Sequence, residues 1–585
     1  MSNKINPFKH EYFLGYINQV LPQFVKIHFP SSVLLNGFTH FGQEYNGGLV
    51  GNFVVIEGEK YGFLGRITEL SLPESERLSL NEKAFQNSDF HPTGKIEILL
   101  SFDLYNPFII KKGLTAYPNI GAKVFISSGE LVQEYMSRFG VKNDENVETI
   151  KIGSLVSNAD TNVNVNIQSI FGRHCAIVGT TGGGKSFTVS KLIESLISNG
   201  SKAILIDATG EYTGSYDNMK SIDIGTGEHV FHYSQLTIDD LFYLIRPSSK
   251  TQVPKLMEAI RSLKIVKISG NKALEKDISG VTVTTKIENG LLKKAGSDKR
   301  PYEEFYYKKI AEIEDGNSDF DIEKLTFQIT QECVWDTASK YEGSPRARID
   351  IPEKWGDRND GDVSYCISMI SRINNIINSS IYQNIFGFKK EKNDKDITSL
   401  IGEFIKGKDS LLRLNFGDIP FDFQVREILA NAIGTHLLNK ARNKVFKENP
   451  IVLFIDEAHQ FLNKTIKDEY FDVKPLDAFD SIAKECRKHG LFLSIATQMP
   501  RDIPHGTLSQ MGTFIVHRLI NQNDKDAISN ACSSANKNTL EFLPILGEGE
   551  AIVTGVDFAM PIIMKFERPV NEPDSNTPKF NRKAK

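Results

Sequence analysis

The chain of 585 residues, 40% hydrophobic and 24% charged, is long enough for about three or four domains that each bury a core. A net charge of −4 argues against a globally basic nucleic-acid binder without excluding one, because a ring can confine positive charge to a pore. Five scattered cysteines (Cys175, Cys333, Cys366, Cys486 and Cys532) with no C-x-x-C pair speak against a zinc site and for a reducing compartment. The first residues lack the basic, apolar, small-residue order of a signal peptide. No apolar run approaches the roughly 18 residues of a membrane span, so the expectation is a soluble, cytoplasmic protein.

The N-terminal region carries short β-type runs, Phe53–Glu57, Tyr61–Ile67, Ile96–Phe102 and Lys123–Ile126, separated by glycine and polar turns. Regular short strands without helical stretches predict a small barrel or sandwich. The apolar run Cys175–Val178 then leads into Gly-Thr-Thr-Gly-Gly-Gly-Lys-Ser at 179–186, a complete G-x-x-x-x-G-K-[ST] loop. Apolar residues at Val189, Leu192, Ile193, Leu196 and Ile197 give one face of a helix that Gly200 stops. Strand, loop and helix stand in the order that a phosphate-binding loop requires. Its backbone N–H groups and the helix N-terminus attract the phosphates, Lys185 reaches the β- and γ-phosphates, and the Ser186 hydroxyl ligates Mg²⁺. The candidate nucleotide-binding set is Gly179, Thr180, Thr181, Gly182, Gly183, Gly184, Lys185, Ser186 and Phe187. A second strand is expected at Lys202–Asp207, leading into Ala208–Tyr212.

From 237 to 409 the pattern turns mainly helical, as in Leu241–Ile245 and Val253–Val266. Residues 269–299, rich in Gly, Lys, Thr and Ser, read as a mobile excursion, and Lys389–Lys395 as a solvated connector. Strand character returns at Leu411–Phe416, and Val425, Ile428, Leu429, Ala432, Ile433 and Leu437 mark one helix face. Ile451–Ile455, Leu491–Ala496 and Thr513–His517 complete the strand set. An α/β nucleotide-binding core is thus split by a helical insertion.

The strand Ile451–Ile455 runs into Asp456-Glu457. After such a loop, this pair supplies a Mg²⁺-holding acid, Asp456, and a residue that orients or deprotonates water, Glu457. Gln498, at the end of an apolar strand in the crevice where ligands sit, can reach the γ-phosphate or the water. Arg487, Arg173 and Arg518 are candidates to neutralise charge on the transferred phosphoryl group. His459 has no second histidine at ligand spacing, which favours a packing or coupling role.

Together these residues resemble the HerA branch of the HerA/FtsK P-loop ATPases. The matching pieces are Arg173-His174, Gly179–Ser186, Asp207 with Gly210-Glu211-Tyr212, Phe454–His459, Arg487–Gly490, Thr497–Pro500, and Arg518-Leu519 with Asp524. The resemblance implies a RecA-like P-loop ATPase core, in two parts at 166–236 and 410–560, around the insertion at 237–409. It also implies an N-terminal β-barrel at 1–165 and a tail at 561–585. It further implies ATP and Mg²⁺ as cofactors, and a homo-hexamer that moves double-stranded DNA through its pore as a translocase or helicase. On the same ground Arg487, with Arg173 second, acts across the subunit interface. Glu211 lies near the nucleotide or the interface, and Lys464 and Lys467 stand in the loop where the family suggests DNA contacts, although a solvated surface is the favoured reading of each. Met499 departs from the arginine common at its position, and the insertion is long. Family members pair with a NurA-type nuclease or, in antiphage defence, a sirtuin-like or nuclease effector, for which the barrel is the dock. A scaffold that binds ATP chiefly to hold an effector is the alternative.

Overall fold

The computed structural model describes residues 6–22, 24–40, 43–74, 89–106, 109–111, 116–137, 149–157, 159–216, 218–248, 250–341, 348–389, 395–421, 424–462, 475–532, 537–558 and 560–575. Most of Lys389–Lys395, and both Lys464 and Lys467, lie outside these residues.

Six antiparallel strands near the N-terminus close on themselves in the order Phe24–His28, Phe13–Val20, Lys123–Ile126, Phe53–Ile56, Tyr61–Ser71, Thr93–Asp103. The last pairs back onto Phe24–His28, which closes these six strands into a barrel, and the short strand Ile110–Lys111 adds to the far end of Thr93–Asp103. Val25, Ile27, Val54, Leu64, Ile96 and Leu100 are among its buried residues.

Among the described residues the core sheet has eleven strands. A parallel run takes the order Thr513–His517, Cys175–Val178, Leu491–Thr497, Ile451–Ile455, Lys202–Asp207, Leu411–Asn415, Met219–Asp223. Side chains alternate between its faces. Cys175, Ile177, Ala203, Leu205, Val452 and Phe454 pack with Val189, Leu192, Ile193 and Leu196 of the helix Lys185–Ser198, in a core continuous with that of the barrel. Ala176, Val178, Ile204, Ile206, Leu453 and Ile455 face the helix Val425–Arg442 and the insertion. Burial on both faces explains why these strands read as unbroken apolar runs.

Four antiparallel strands extend the sheet beyond Thr513–His517: Glu550–Gly555, Ile562–Phe566, Ile150–Leu155 and Asn162–Val165. Two expectations change here. Residues 150–165, assigned to the barrel, and 562–566, assigned to the tail, belong to the core sheet. Their partners stand about four hundred residues apart in sequence, which no local pattern reveals.

The insertion packs helices Ile238–Ile245, Gln252–Ile268, Leu325–Glu332 and Asp360–Asn378 against the core. It opens with a capping box in which Thr237 and Asp240 satisfy each other's backbone, and Asp240 also accepts from Asn431 of the core helix at 3.3 Å. The stretch 269–299 is not a mobile excursion. It forms a three-stranded antiparallel sheet, Leu274–Ile278, Val281–Glu288 and Leu291–Lys293. Ser279-Gly280 and Asn289-Gly290 make its two-residue turns, all four with positive φ. The Asn-Gly pair is a strong hairpin signal, and it outweighs the polar composition of the stretch. Among the described residues no helix is long and apolar enough to cross a membrane.

Candidate nucleotide site

The functional side chains gather at the carboxyl edge of the parallel strands, where open α/β sheets bind ligands. Gly179 follows Val178, Asp456 follows Ile455, Gln498 follows Thr497, and Asp207 and His517 end their strands. The Leu491–Thr497 strand lies between the loop strand and the Asp456-Glu457 strand. That order sets Gln498 directly beside the loop, and Thr181 Oγ1 donates to Gln498 Oε1 at 2.5 Å. On the other side the Arg518 carbonyl accepts from Thr180 N and Thr180 Oγ1 at 3.0 and 3.2 Å.

The loop turns through Gly182 and Gly184 at φ 75° and 101°, and Gly184 caps the helix Lys185–Ser198. Any other residue at Gly184 would be strained. Lys185 is buried, and its Nζ donates to the Thr180 carbonyl at 3.2 Å. Burial pulls its pKa down, while Glu457, Asp456 and Glu211 oppose that shift.

Asp207 organises the other wall. Its carboxylate accepts from the N–H groups of Gly210, Glu211 and Tyr212 at 2.8, 3.2 and 3.1 Å, and from Arg413 Nε at 2.8 Å. The turn it fixes delivers Glu211, whose Oε2 accepts from Ser186 Oγ at 3.2 Å. Burial raises the Glu211 pKa, the Ser186 hydrogen bond opposes the rise, and the Asp207 charge adds to it.

Asp456 is buried, and burial pushes its pKa well above the carboxylate range, with Glu457, Asp207 and Glu211 pushing the same way. Glu457 sits in left-handed backbone at φ 46°, a conformation costing on the order of 1–3 kcal/mol in a non-glycine residue. Its buried Oε2 makes no hydrogen bond among the described residues. His459 Nδ1 approaches to 3.2 Å out of alignment and stands 3.4 Å from Thr497 Oγ1. His459 therefore lies between the acid pair and the Gln498 strand. Glu457, Asp456 and Glu211 crowd around Lys185, while Asp207 behind them is matched by Arg413, so the pocket carries excess negative charge. Among the described residues no three acidic, histidine or cysteine side chains stand close enough to hold a metal ion by themselves, so a divalent cation at Ser186 and Asp456 would take phosphate oxygens or water as its other ligands.

The arginines separate. Arg518 leaves from the loop side of the sheet. Arg173 and Arg487 sit at the opposite, amino edge, where Arg173 Nε pairs with Asp557 Oδ2 at 2.8 Å. Arg487 is exposed, and its charge helps depress the pKa of His174. Neither belongs to the phosphate pocket.

His517, absent from the expected set, packs under the loop. A side chain at Gly179 would strike its Cβ at 2.5 Å. Its Nδ1 lies 2.9 Å from the Glu550 carbonyl and its Nε2 3.0 Å from Thr188 Oγ1, so Nδ1 carries the proton and Nε2 accepts. A histidine ending a buried strand was the only signal available for it.

A glycine-rich loop on a helix N-terminus, an acid pair on a neighbouring strand and a glutamine on the strand between them define a P-loop nucleoside triphosphatase. Residues 150–346 match the family described as Helicase HerA, central domain, and residues 445–578 match Helicase HerA-like C-terminal. The two regions together span more than half of the chain, and the protein belongs to the HerA helicase family of ATPases. Over 546 residues it is 25% identical to the DNA double-strand break repair helicase HerA of Saccharolobus solfataricus, covering 88% of this chain and 87% of that one. It is 25% identical to a probable DNA double-strand break repair helicase HerA of Methanocaldococcus jannaschii, over 72% of this chain and 76% of the relative. Among solved structures, VirB4 of Thermoanaerobacter pseudethanolicus aligns with TM-score 0.41 and 16% identity, covering 73% of this chain and 97% of that one.

Proposed function

We propose that the chain is an ATP-driven motor on double-stranded DNA, working as a homo-hexameric translocase or helicase in DNA end processing or defence. The observation that carries this reading is the convergence of Lys185, Ser186, Asp456, Glu457 and Gln498 at one sheet edge. The names of relatives matched over most of their length support DNA as the track. Ser186 and Asp456 are the residues to hold Mg²⁺, which neutralises phosphate charge when bound. Lys185 contacts the β- and γ-phosphates, the loop amides hold the phosphate chain, Glu457 orients the attacking water, and Gln498 senses the γ-phosphate. Arg487, with Arg173 second, serves a neighbour's site, which agrees with their position away from their own. The partner on this reading is a NurA-like nuclease or a sirtuin-like or nuclease effector docked on the barrel, whose exposed Tyr16, Tyr105 and Ile120 supply contact side chains.

Steady-state ATP hydrolysis with and without linear duplex DNA tests the reading, with Lys185→Ala as blank. Stimulation that weakens as salt rises is the expected result. Hydrolysis indifferent to DNA would replace the motor with the nucleotide-dependent scaffold.

A further inference from the structure

Residues 567–575 form a strap along the outer face of the helix that follows the phosphate loop. Glu567 is held between Lys191 at 2.8 Å and Lys151 at 3.2 Å. The Val570 and Asn571 N–H groups donate to Glu194 at 3.1 and 2.6 Å, and Ser190 Oγ donates to the Asn571 carbonyl at 2.6 Å. Asp574 N donates to the Glu211 carbonyl at 2.8 Å, so the strap also touches the turn that faces Ser186. Positions 187, 190, 191 and 194 share one helix face. The strap fastens to the last three and leaves the first, Phe187, half-buried at the mouth of the loop.

Among the described residues Arg568 is the cation that reaches over that ring. Its guanidinium carbon stands 6.0 Å from the Phe187 centroid, the side chain is 79% exposed, and Glu572 Oε1 lies 3.5 Å from its Nη1. A nucleotide in the loop has its γ end at Lys185 and its α-phosphate at the helix N-terminus. Its nucleoside therefore leaves the loop over Phe187. A flat base held between two planes needs about 3.5 Å on each side, or ~7 Å in all, so the gap opens by about 1 Å of side-chain movement. A ring below and a planar cation above suit any nucleobase by stacking and cation–π attraction.

We propose that the nucleobase of the bound nucleotide stacks between Phe187 and Arg568, making the C-terminal strap the nucleoside wall of the site. This rests on the triphosphatase reading above and adds the nucleoside contact to it.

The test compares ATP with inorganic tripolyphosphate, which offers phosphates without a base, as substrate and as competitive inhibitor of the full-length protein. In Arg568→Ala the KM for ATP rises roughly ten-fold while the inhibition constant of tripolyphosphate stays at the wild-type value. Phe187→Ala repeats that pattern, and Phe187→Tyr restores tight ATP use. Melting of nucleotide-free Arg568→Ala stays at the wild-type temperature, because the side chain is exposed. An unchanged KM in Arg568→Ala overturns the proposal. So does an equal loss of ATP and tripolyphosphate, which would assign Arg568 to phosphate or to support of the fold. A wild-type protein that takes neither probe overturns the triphosphatase reading instead.

Discussion

Arg66 of the barrel donates through one Nη to Thr539 Oγ1 of the core at 2.6 Å and to Glu97 Oε2 at 2.9 Å. Arg66 and Glu97 are fully buried. From Thr539 the chain passes Leu543, whose carbonyl accepts from Leu519 N at 3.3 Å, and reaches Gly549, whose N–H donates to the Gly183 carbonyl at 3.4 Å. The footing of the barrel therefore stands ten residues from a contact with the phosphate loop. Arg66→Ala breaks a buried ion pair and takes the Arg66 cation away from the Glu97 carboxylate, a loss of about 3–5 kcal/mol. Chemical denaturation should show that loss, and Arg66→Met with Glu97→Leu should recover much of it. A fully stable Arg66→Ala protein would mean that water or another cation solvates Glu97.

Asp207 shapes the pocket without occupying it. Asp207→Asn turns one acceptor oxygen into a donor facing N–H groups or Arg413, so the turn carrying Glu211 loses its anchor. The expected result is destabilisation of about 3–5 kcal/mol together with a raised Mg²⁺ requirement for hydrolysis, read by denaturation and by titration of Mg²⁺ at fixed ATP. Normal Mg²⁺ dependence in a destabilised variant would confine Asp207 to a folding role.

The legible parts of this chain were those whose chemistry is local in sequence. The loop at 179–186 and the strand ending at Asp456 announce themselves because strands buried on both faces become continuous apolar runs and phosphate binding needs glycine at fixed offsets. Strands 150–155 and 562–566 are not legible as part of the core, because each is defined by the other across its whole width. The hairpins at 274–293 were missed because their strands are polar and half-exposed, and only Asn289-Gly290 marked the turn. Arg413 and His517 serve the site through tertiary contacts alone, and the strap at 567–575 gains its meaning only when laid on the loop helix.

Gln498 tests how far sheet order determines chemistry. Thr181 Oγ1 donates to its amide oxygen and orients it. Removing one preorganised polar group from a phosphoryl-transfer site typically costs on the order of 10²–10³ in rate. Gln498→Ala should bind a fluorescent ATP analogue as the wild type does and turn over ATP about a hundred-fold more slowly. Glu457→Gln should also keep binding and lose turnover altogether. Weakened binding in Gln498→Ala would make the residue a ground-state contact.

Histidine burial gives the fold a directional pH dependence. Burial lowers the pKa of His517 to about 4, helped by the Lys185 charge, and burial likewise lowers His174 to about 4. Both are near 6.5 when unfolded. Above pH 6.5 neither state carries the protons, and the full stability is present. As the pH falls from 6.5 toward 4 the unfolded chain takes up two protons that the folded chain refuses, so stability drops by roughly 2 kcal/mol per histidine at pH 5. The raised carboxyls of Asp456, Asp240 and Glu211 act in the opposite direction, because the folded state holds their protons more firmly. A wild-type pH profile therefore mixes both, and the informative quantity is a difference. His517→Gln can keep hydrogen bonds to Thr188 and Glu550 without titrating. Its urea midpoint should fall less between pH 7 and pH 5 than the wild-type midpoint does. Parallel profiles for the two proteins would show that His517 takes up its proton in the folded state, and the neutral imidazole beneath the phosphate loop would be wrong.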